Sequence, residues 1–346
     1  MHQVLLIGYG GMGQWHARHV RESGFAQIAC VFDIDPEKRA LAAAEGYPVC
    51  DTLEQLLGLE GDICIVSTPN DSHLALVTAA LEAGKHVLVE KPIACTMEQV
   101  NQMYDTAGSC GKLLCVHQNR RWDVDYLAMK GLIRENRLGE VFRIESRIHG
   151  SRGIPSGWRN EAEKGGGMLL DWGIHLVDQM LLLFEGDRVD LVQCTVSRHT
   201  TSEVDDGFYL TLHMESGACG YVEVSTCNFI PLPRFYMTCR KGTAVIEDWR
   251  RNAQVAECIA WDEGDVQPER RGAGTTKTMA PRDSLTVRAY ELPRPELEPY
   301  RLLQNFCNAI DGKEPLLITE DQVKQVFAVL MAAFRSAENG GALVKV

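Results

Sequence analysis

A glycine-rich turn near the N-terminus most strongly limits what this chain can fold into. The apolar run 3–7 leads directly into Gly8-Tyr9-Gly10-Gly11-Met12-Gly13, and a predicted helix follows to about Glu22. A G-x-G-x-x-G turn between a strand and a helix binds the pyrophosphate of a dinucleotide, because the backbone approaches closely and the helix N-terminus attracts negative charge. We therefore predict cofactor contacts from Gly8, Gly10, Gly11, Met12 and Gly13.

An acidic residue at the end of the next predicted strand supports this interpretation. The strand 27–32 ends in Asp33, which lies 20 residues after Gly13. An acid at this spacing hydrogen-bonds the adenine ribose hydroxyls, and its charge repels a 2′-phosphate. The pattern therefore favours NAD over NADP. Arg39, on the following helix, is the residue most able to reverse that preference.

The stretch 61–92 contains a second feature, a lysine at the end of a strand. Two apolar runs, 63–66 and 86–89, flank a helical pattern, and the second run ends in Glu90-Lys91-Pro92. Strands and helices alternate up to residue 118, which predicts a doubly wound parallel sheet over residues 1–118. Ligands bind at the carboxyl edge of such a sheet. Lys91 is therefore a candidate catalytic residue, although a strand-end lysine can also simply face water.

The second half of the chain, 119–346, shows a different pattern. Alternating runs separated by short turns begin near residue 189, which predicts a series of mostly antiparallel strands. Before them come a helix to about 135, a strand 141–149, a glycine-rich loop 150–167 and a helix 168–184. Helices are predicted at 300–310 and 320–338 and a closing strand at 343–346, whereas residues 260–284 are polar and irregular. The fold class is therefore α/β, a Rossmann domain followed by an α+β domain.

Composition excludes several classes of function. The formal net charge is −12 without any block of like charge, which argues against nucleic acid or an anionic membrane as a partner. The 12 cysteines include no C-x-x-C pair, so we expect reduced thiols, no metal site and a cytoplasmic protein. We also expect no membrane span and no signal peptide. His16, His19 and His73 lie on predicted helices and are interpreted as surface residues.

An acidic residue and a histidine form a second candidate catalytic set. Asp171 and His175 are four residues apart in the predicted helix 168–184, so they share a face. A carboxylate beside an imidazole fixes its tautomer and raises its basicity. Such a pair is often an ordinary surface contact, but the neighbouring residues are apolar. A polar pair in that setting favours a catalytic role.

Four motifs give the chain a specific resemblance. They are GYGGMG at 8–13, STPN…H at 67–73, GKHVLVEKP at 84–92 and GGGMLLDWGIHLVD at 165–178. In this order they resemble the glucose–fructose oxidoreductase / inositol dehydrogenase (Gfo/Idh/MocA) family, and QNRRWD at 118–123 is similar to scyllo-inositol-dehydrogenase-like members. The resemblance implies that the C-terminal strands form a large open, mostly antiparallel sheet, and that the protein is a homodimer or homotetramer through this sheet.

The resemblance also implies roles for individual residues. Lys91 would hold the reacting hydroxyl and the nicotinamide ribose, and Asp171 with His175 would accept the hydroxyl proton. Further cofactor contacts would come from Ser67, Thr68, Pro69, Asn70, His73, Glu90, Trp158 and Arg159. Further substrate contacts would come from Asn119, Arg120, His149 and Trp172.

The sequence thus predicts an NAD-dependent oxidoreductase that converts a secondary hydroxyl of a sugar, cyclitol or related polyol to a ketone. Two alternatives stay open. One is a redox-assisted glycosidase or lyase of the same family, which needs overlapping residues. The other is a non-enzymatic regulator that binds a dinucleotide, against which the intact set of Lys91, Asp171 and His175 argues. The identity of the polyol and of its reacting carbon is not set by these motifs.

Overall fold

The computed structural model describes residues 1–260, 267–282 and 284–346. Its N-terminal part contains a parallel sheet of five strands in the order β2-β1-β3-β4-β5. The strands are β1 (His2–Ile7), β2 (Ala26–Phe32), β3 (Ile63–Val66), β4 (His86–Val89) and β5 (Leu114–Val116). The helices between them are α1 (Gly11–Ser23), α2 (Pro36–Ala44), α3 (Leu53–Leu57), α4 (His73–Glu82) and α5 (Met97–Cys110).

The strand order of this sheet determines where a ligand can bind. All four residues of β3 are buried, as expected for a strand covered by helices on both faces. The order reverses between β1 and β3, which creates a crevice beyond their carboxyl ends. Gly8 and Ser67 follow these two strands directly, so the glycine-rich turn opens into that crevice.

The C-terminal part contains a nine-stranded sheet in the order β15-β12-β11-β10-β6-β9-β8-β7-β16, together with a separate two-stranded hairpin, β13-β14. Only β6 and β9 pair in parallel among the described strands of the large sheet. The predicted mostly antiparallel sheet is confirmed.

The helices of the C-terminal part are α6 (Val124–Glu135), α7 (Met168–Asp171), α8 (Gly173–Leu183), α9 (Arg301–Ile310) and α10 (Glu320–Glu338). The strands are β6 (Val141–His149), β7 (Val189–Ser197), β8 (Gly207–Met214), β9 (Cys219–Ser225), β10 (Phe235–Cys239), β11 (Gly242–Ile246), β12 (Ala253–Cys258), β13 (Glu269–Arg271), β14 (Gly274–Thr276), β15 (Val287–Leu292) and β16 (Val344–Lys345).

Helices cover one face of the large sheet. Helix α8 packs on β6 and β9, and α10 packs on β7 and also reaches α5 of the N-terminal part. Gly220 of β9 packs closely on α8, since a Cβ there would lie 3.0 Å from Cγ of Met180 and the methionine side chain would have to shift. This close packing holds α8 against the sheet, on the side that faces the Rossmann part. None of the described helices is long and apolar enough to cross a membrane.

Several local expectations differ from the structure. The predicted continuous helix 168–184 is two helices that meet at Trp172. The helix expected to start at 117 begins as a 3₁₀ turn, Asn119–Trp122, before α6. The edge strand β15 was not predicted, and the irregular region 260–284 contains the hairpin β13-β14, while 261–266 and 283 lie outside the described residues. The domain boundary at residue 118 lies between the two sheets and stays a prediction.

Candidate active site

Lys91 lies beyond the carboxyl end of β4 and contacts Asp171. Its Nζ donates to Asp171 Oδ1 and to the Asp171 main-chain oxygen, each at 2.8 Å. Arg159 Nε donates to the other carboxylate oxygen at 3.3 Å, and its guanidinium stacks 4.5 Å from the Trp158 ring. Burial raises the pKa of Asp171, but Lys91 and Arg159 outweigh burial and leave that pKa below its ordinary value. Asp171 is therefore a charged anchor for two cations.

His175 is oriented by a residue that the sequence did not indicate. Its Nδ1 lies 3.2 Å from Gln118 Oε1, and both side chains are buried. An amide oxygen only accepts, so Nδ1 carries the proton and Nε2 holds the lone pair. Burial, Lys91 and Arg120 lower the pKa of His175 well below 6.5, which keeps the ring neutral.

The predicted partnership between Asp171 and His175 is wrong in its geometry. The helical repeat that would place them on one face is broken at Trp172, so Asp171 closes α7 and His175 belongs to the first turn of α8. The carboxylate contacts Lys91 and Arg159 instead. The three predicted catalytic residues still lie in one region, because Lys91 bonds Asp171 and the helix that carries His175 begins shortly after Asp171.

Glu90 has a different position from the one expected. Its Oε1 lies 2.7 Å from His16 Nε2 and 3.0 Å from His117 Nδ1, and all three side chains are buried. Burial opposes ionisation of Glu90, yet the two histidines hold its pKa well below 4.5. The predicted cofactor contact from Glu90 is therefore corrected, and so is the surface assignment of His16. Histidine, glutamate and histidine at this spacing can also hold a metal ion, and here His16 is hydrogen-bonded to Glu90 while His117 lies within ion-pair distance of the same oxygen.

The glycine-rich turn is shaped to accept a pyrophosphate. Gly8 has φ +92°, and a Cβ at Gly13 would lie 2.0 Å from the Gly8 oxygen, so both positions require glycine. A Cβ at Gly10 or Gly11 would meet nothing within 4 Å, so the backbone there is open. Because α1 has no side-chain cap at its N-terminus, its first N–H groups are available to an anion. These features fit a dinucleotide.

Asp33 lies beside this turn at the end of β2. Its carboxylate accepts from the Tyr9 N–H at 2.6 Å and from the Asp35 N–H at 2.9 Å. Arg39 donates to the Asp33 main-chain oxygen at 2.8 Å and lies 3.6 Å from Asp51. A carboxylate and a guanidinium therefore both border the place where an adenine ribose would lie.

The loop after β3 holds the site together through side chains that are already bonded. Ser67 Oγ donates to the Gly8 oxygen, and Asn70 Nδ2 donates to the Gly165 oxygen. His73 is fully buried, with Nε2 2.9 Å from the Thr68 oxygen and Nδ1 3.0 Å from the Pro92 oxygen. The surface assignment of His73 is wrong, since its ring fixes the loop to the segment that carries Lys91.

For the same reason the side chains of Ser67, Asn70 and His73 are not directed at a cofactor. Cofactor contacts from Thr68, Pro69 and Met12 stay predictions. Thr68 is half-buried, and Pro69 and Met12 are exposed.

Arg120 and Trp172 lie close to His175. The Arg120 guanidinium lies 4.3 Å from the Trp172 ring and 5.1 Å from the ring of Trp249, a residue outside every motif quoted above. The Trp172 ring lies 6.1 Å from the His175 ring. Asn119 is half-buried in the adjoining 3₁₀ turn, and its substrate contact stays a prediction.

His149 is not brought to this site. On β6, Ser146 faces α8 and accepts from the buried Arg234, which also bonds Gln179 of that helix. The side chain of His149, an odd number of residues away, lies on the opposite face of the sheet. There its Nε2 is 3.0 Å from Glu223 Oε1, and its Nδ1 accepts from the Leu232 N–H. The substrate contact predicted for His149 is therefore corrected.

Two family profiles match the chain. The profile described as an oxidoreductase family with an NAD-binding Rossmann fold matches residues 2–118, and that of the GFO/IDH/MocA C-terminal domain matches residues 126–245. The crystal structure of an NAD-binding protein from Listeria innocua is 38% identical, with a TM-score of 0.95, and the match covers 100% of this chain and 99% of that one.

Curated relatives match over a shorter stretch. An uncharacterized oxidoreductase of Escherichia coli, YdgJ, is 36% identical over 188 residues, which is 53% of each chain. The scyllo-inositol 2-dehydrogenase (NADP(+)) IolW of Bacillus subtilis is 33% identical over 61% of this chain and 59% of its own length. The alignments thus span little more than half of these relatives. Together with the two profiles and the full-length structural match, they place the chain in the GFO/IDH/MocA oxidoreductase family.

Proposed function

We propose that this protein is an NAD-dependent dehydrogenase that oxidises a secondary hydroxyl of a sugar, cyclitol or related polyol to a ketone. The observation that carries the proposal is the contact of Lys91 with Asp171 beyond β4, with the buried His175 in the first turn of the adjoining helix α8. This region adjoins a glycine-rich turn whose backbone is open to a dinucleotide. The name of IolW, in the same family, supports a cyclitol or sugar substrate, whereas it specifies NADP(+) as the cofactor.

Each residue of the site has its own role in the proposed reaction. A lysine ammonium has three N–H donors, and Asp171 takes two of them, which leaves one for the reacting hydroxyl. His175 accepts the hydroxyl proton at Nε2 while Gln118 holds the ring through Nδ1. A bound nicotinamide supplies the hydride acceptor. One hydride and one proton leave the CH–OH group, and a ketone remains.

The cofactor preference follows from Asp33. Its carboxylate is fixed at the end of β2 by two backbone N–H groups, in the position that suits a ribose diol. Arg39 is engaged with main-chain oxygens and lies near Asp51, so we propose NAD over NADP. Titrating both oxidised cofactors against the wild type and Asp33→Ser tests this. Tighter binding of NADP by the wild type would contradict the proposal.

Replacing the catalytic residues tests the activity itself. We expect Lys91→Met and His175→Ala to lower kcat by about 10²–10⁴ with NAD affinity little changed, since both remove acid–base groups. Lys112→Met is the matched control, because Lys112 precedes β5 at the opposite edge of the sheet. Near-normal turnover in either catalytic variant would refute the assignment.

The assay also separates simple oxidation from redox-assisted cleavage. A panel of polyols and glycosides is incubated with NAD, and both NADH and released aglycone are measured. Accumulation of NADH supports the dehydrogenase. Release of aglycone with catalytic NAD and no net NADH would indicate a glycosidase or lyase instead.

We further propose a cytoplasmic homodimer or homotetramer that uses the helix-free face of the large sheet. That face carries a half-buried ion network of Arg147 with Glu145 and Glu223. All twelve cysteines are free, as suits a reducing compartment. Light scattering after gel filtration gives the oligomeric state, and a monomeric mass at micromolar concentration would contradict the proposed assembly.

A further inference from the structure

Aromatic rings and guanidinium groups alternate from Trp172, beside the candidate catalytic histidine, to Phe235, and we call this series the stack. The Arg120 guanidinium contacts both Trp172 and Trp249, at 4.3 and 5.1 Å from their ring centres. Arg234 continues the stack, 4.9 Å from Trp249 and 4.1 Å from Phe235. The two indole rings lie 6.3 Å apart. Each cation thus lies within the distance at which an aromatic ring attracts it.

The two ends of this stack differ in exposure. At the end far from His175, Arg234 is 3% exposed and Phe235 is fully buried, so they form a fixed base. Trp249 is 37% exposed, and it lies on the loop between β11 and β12, which the motifs do not reach. Trp172 is 6.1 Å from His175. The accessible part of the stack therefore lies next to the reacting groups.

The charges of the stack are compensated. Arg120 Nη1 lies 3.1 Å from Asp123, and Arg234 Nε lies 3.0 Å from the buried Asp125. Each guanidinium thus has its own carboxylate, and neither is left as a free counter-ion for a phosphate or a carboxylate. The Arg120 guanidinium has five N–H donors, and only part of them bond Asp123. Its other N–H groups remain for the hydroxyl groups of a substrate.

We propose that Trp249, with Arg120 and Trp172, forms the subsite that binds the ring of a neutral polyhydroxylated substrate. The inference rests on the proposed dehydrogenase function and adds that the substrate ring carries no charge and is bound by Trp249. Indole surfaces contact the apolar C–H groups of a sugar or cyclitol ring, and the guanidinium donates to its hydroxyls. A sugar phosphate or sugar acid would place an anion near Asp123 and gain no unpaired cation in return.

The test compares two variants of Trp249 with a matched control. Trp249→Ala removes the outer ring, and Trp249→Phe keeps an aromatic surface. Tyr290→Ala is the control, since Tyr290 also stacks on two arginines, Arg137 at 4.8 Å and Arg288 at 5.6 Å, but lies on the edge strand β15. Probes are scyllo-inositol and methyl glucoside as neutral rings, and glucose 6-phosphate and glucuronate as their charged counterparts.

We expect the wild type to favour the neutral probes in kcat/KM by at least about tenfold, which corresponds to about 1.4 kcal/mol. Trp249→Ala should raise KM for them about tenfold or more with kcat changed by less than about threefold. Trp249→Phe should recover most of the loss, and Tyr290→Ala should behave as the wild type. A preference for the charged probes, or unchanged KM in Trp249→Ala, would overturn the inference while the dehydrogenase proposal stands. Absence of any NAD-linked oxidation by the wild type would instead refute the proposed function on which the inference depends.

Discussion

The contact between Lys91 and Asp171 makes a prediction that can be tested without knowing the substrate. The perturbation is a double-mutant cycle of Lys91→Met, Asp171→Asn and the double variant. Both substitutions keep most of the side-chain volume, so they remove charge without leaving a large cavity. The cycle isolates the interaction between the two side chains, because effects on other neighbours cancel.

The structure sets the expected magnitude. The Nζ–Oδ1 distance is 2.8 Å, and the two side chains are only 16% and 13% exposed. Breaking a well-buried ion pair by removing one partner costs about 3–5 kcal/mol, and contacting residues show coupling energies of about 0.5–3 kcal/mol. We expect a coupling of about 2 kcal/mol for Lys91 with Asp171. A second cycle of Asp171→Asn with Gln118→Leu should give less than about 0.5 kcal/mol, because Gln118 bonds His175 instead.

The measurement is the free energy of unfolding from urea titration of all variants under one buffer. Far-UV circular dichroism and tryptophan fluorescence should give coincident transitions, which justifies a two-state treatment. Coupling of Asp171 to Gln118 as strong as its coupling to Lys91 would refute the arrangement described above. That result would instead support the prediction from the sequence that Asp171 orients His175.

Two further predictions concern stability and pH. Burial raises the pKa of Asp205 from 3.8 to about 6, although its carboxylate accepts from the Leu169 N–H. The native state therefore holds the proton more tightly than the unfolded state, and the free energy of unfolding falls by about 2 kcal/mol as pH rises from 4 to 7. Asp205→Asn should remove that loss, so urea unfolding at both pH values should favour the variant by about 2 kcal/mol more at pH 7, and an equal difference at both would contradict the reasoning. In the Asp205→Asn variant, the free energy of unfolding should fall as pH drops below about 6.5. Burial lowers the pKa of several histidines in the native state, so the unfolded chain binds more protons in that range. A constant Tm between pH 7.5 and 5 would contradict this prediction. These histidines are His16, His73 and His175.

Local patterns were sufficient to predict most of the fold. The strands 63–66 and 86–89 have the predicted bounds because buried parallel strands are continuous apolar runs, which turn residues end sharply. The helix Glu320–Glu338 also has its predicted bounds, and Thr319 forms a capping box with Gln322 at its start. The edge strand β15 escaped notice because only one of its sides pairs within the sheet, and its six residues VRAYEL lack a buried face.

The contacts of the site were harder to predict than its members. Helical periodicity placed Asp171 and His175 on one face, but it holds only for an unbroken helix, and the chain changes direction at Trp172. Trp249 gave no signal at all, because it reaches Trp172 through the arrangement of a loop from a distant part of the sheet. Such contacts depend on tertiary packing, which no local spacing encodes.

At the ends of β4 and β5, each residue of the site directly follows a residue of the Glu90 network. At the end of β4, Glu90 points into the interior, and its other carboxylate oxygen accepts from the Lys91 N–H at 3.2 Å. At the end of β5, His117 points inward to Glu90, and the next residue, Gln118, reaches His175. One buried carboxylate therefore fixes the backbone that carries the lysine and the backbone that carries the residue orienting the histidine.

The same carboxylate reaches the cofactor side of the site. His16 belongs to α1, the helix whose open N-terminus follows the glycine-rich turn, and it lies 2.7 Å from Glu90. A shift of α1 would therefore be opposed by the same buried hydrogen bonds that hold the ends of β4 and β5. Because the two histidines hold the pKa of Glu90 well below 4.5, its hydrogen bonds with His16 and with the Lys91 N–H are charge-assisted and about twice as strong as neutral ones. The helix that follows the glycine-rich turn and the strand end that carries Lys91 are thus held by one buried carboxylate rather than by independent contacts.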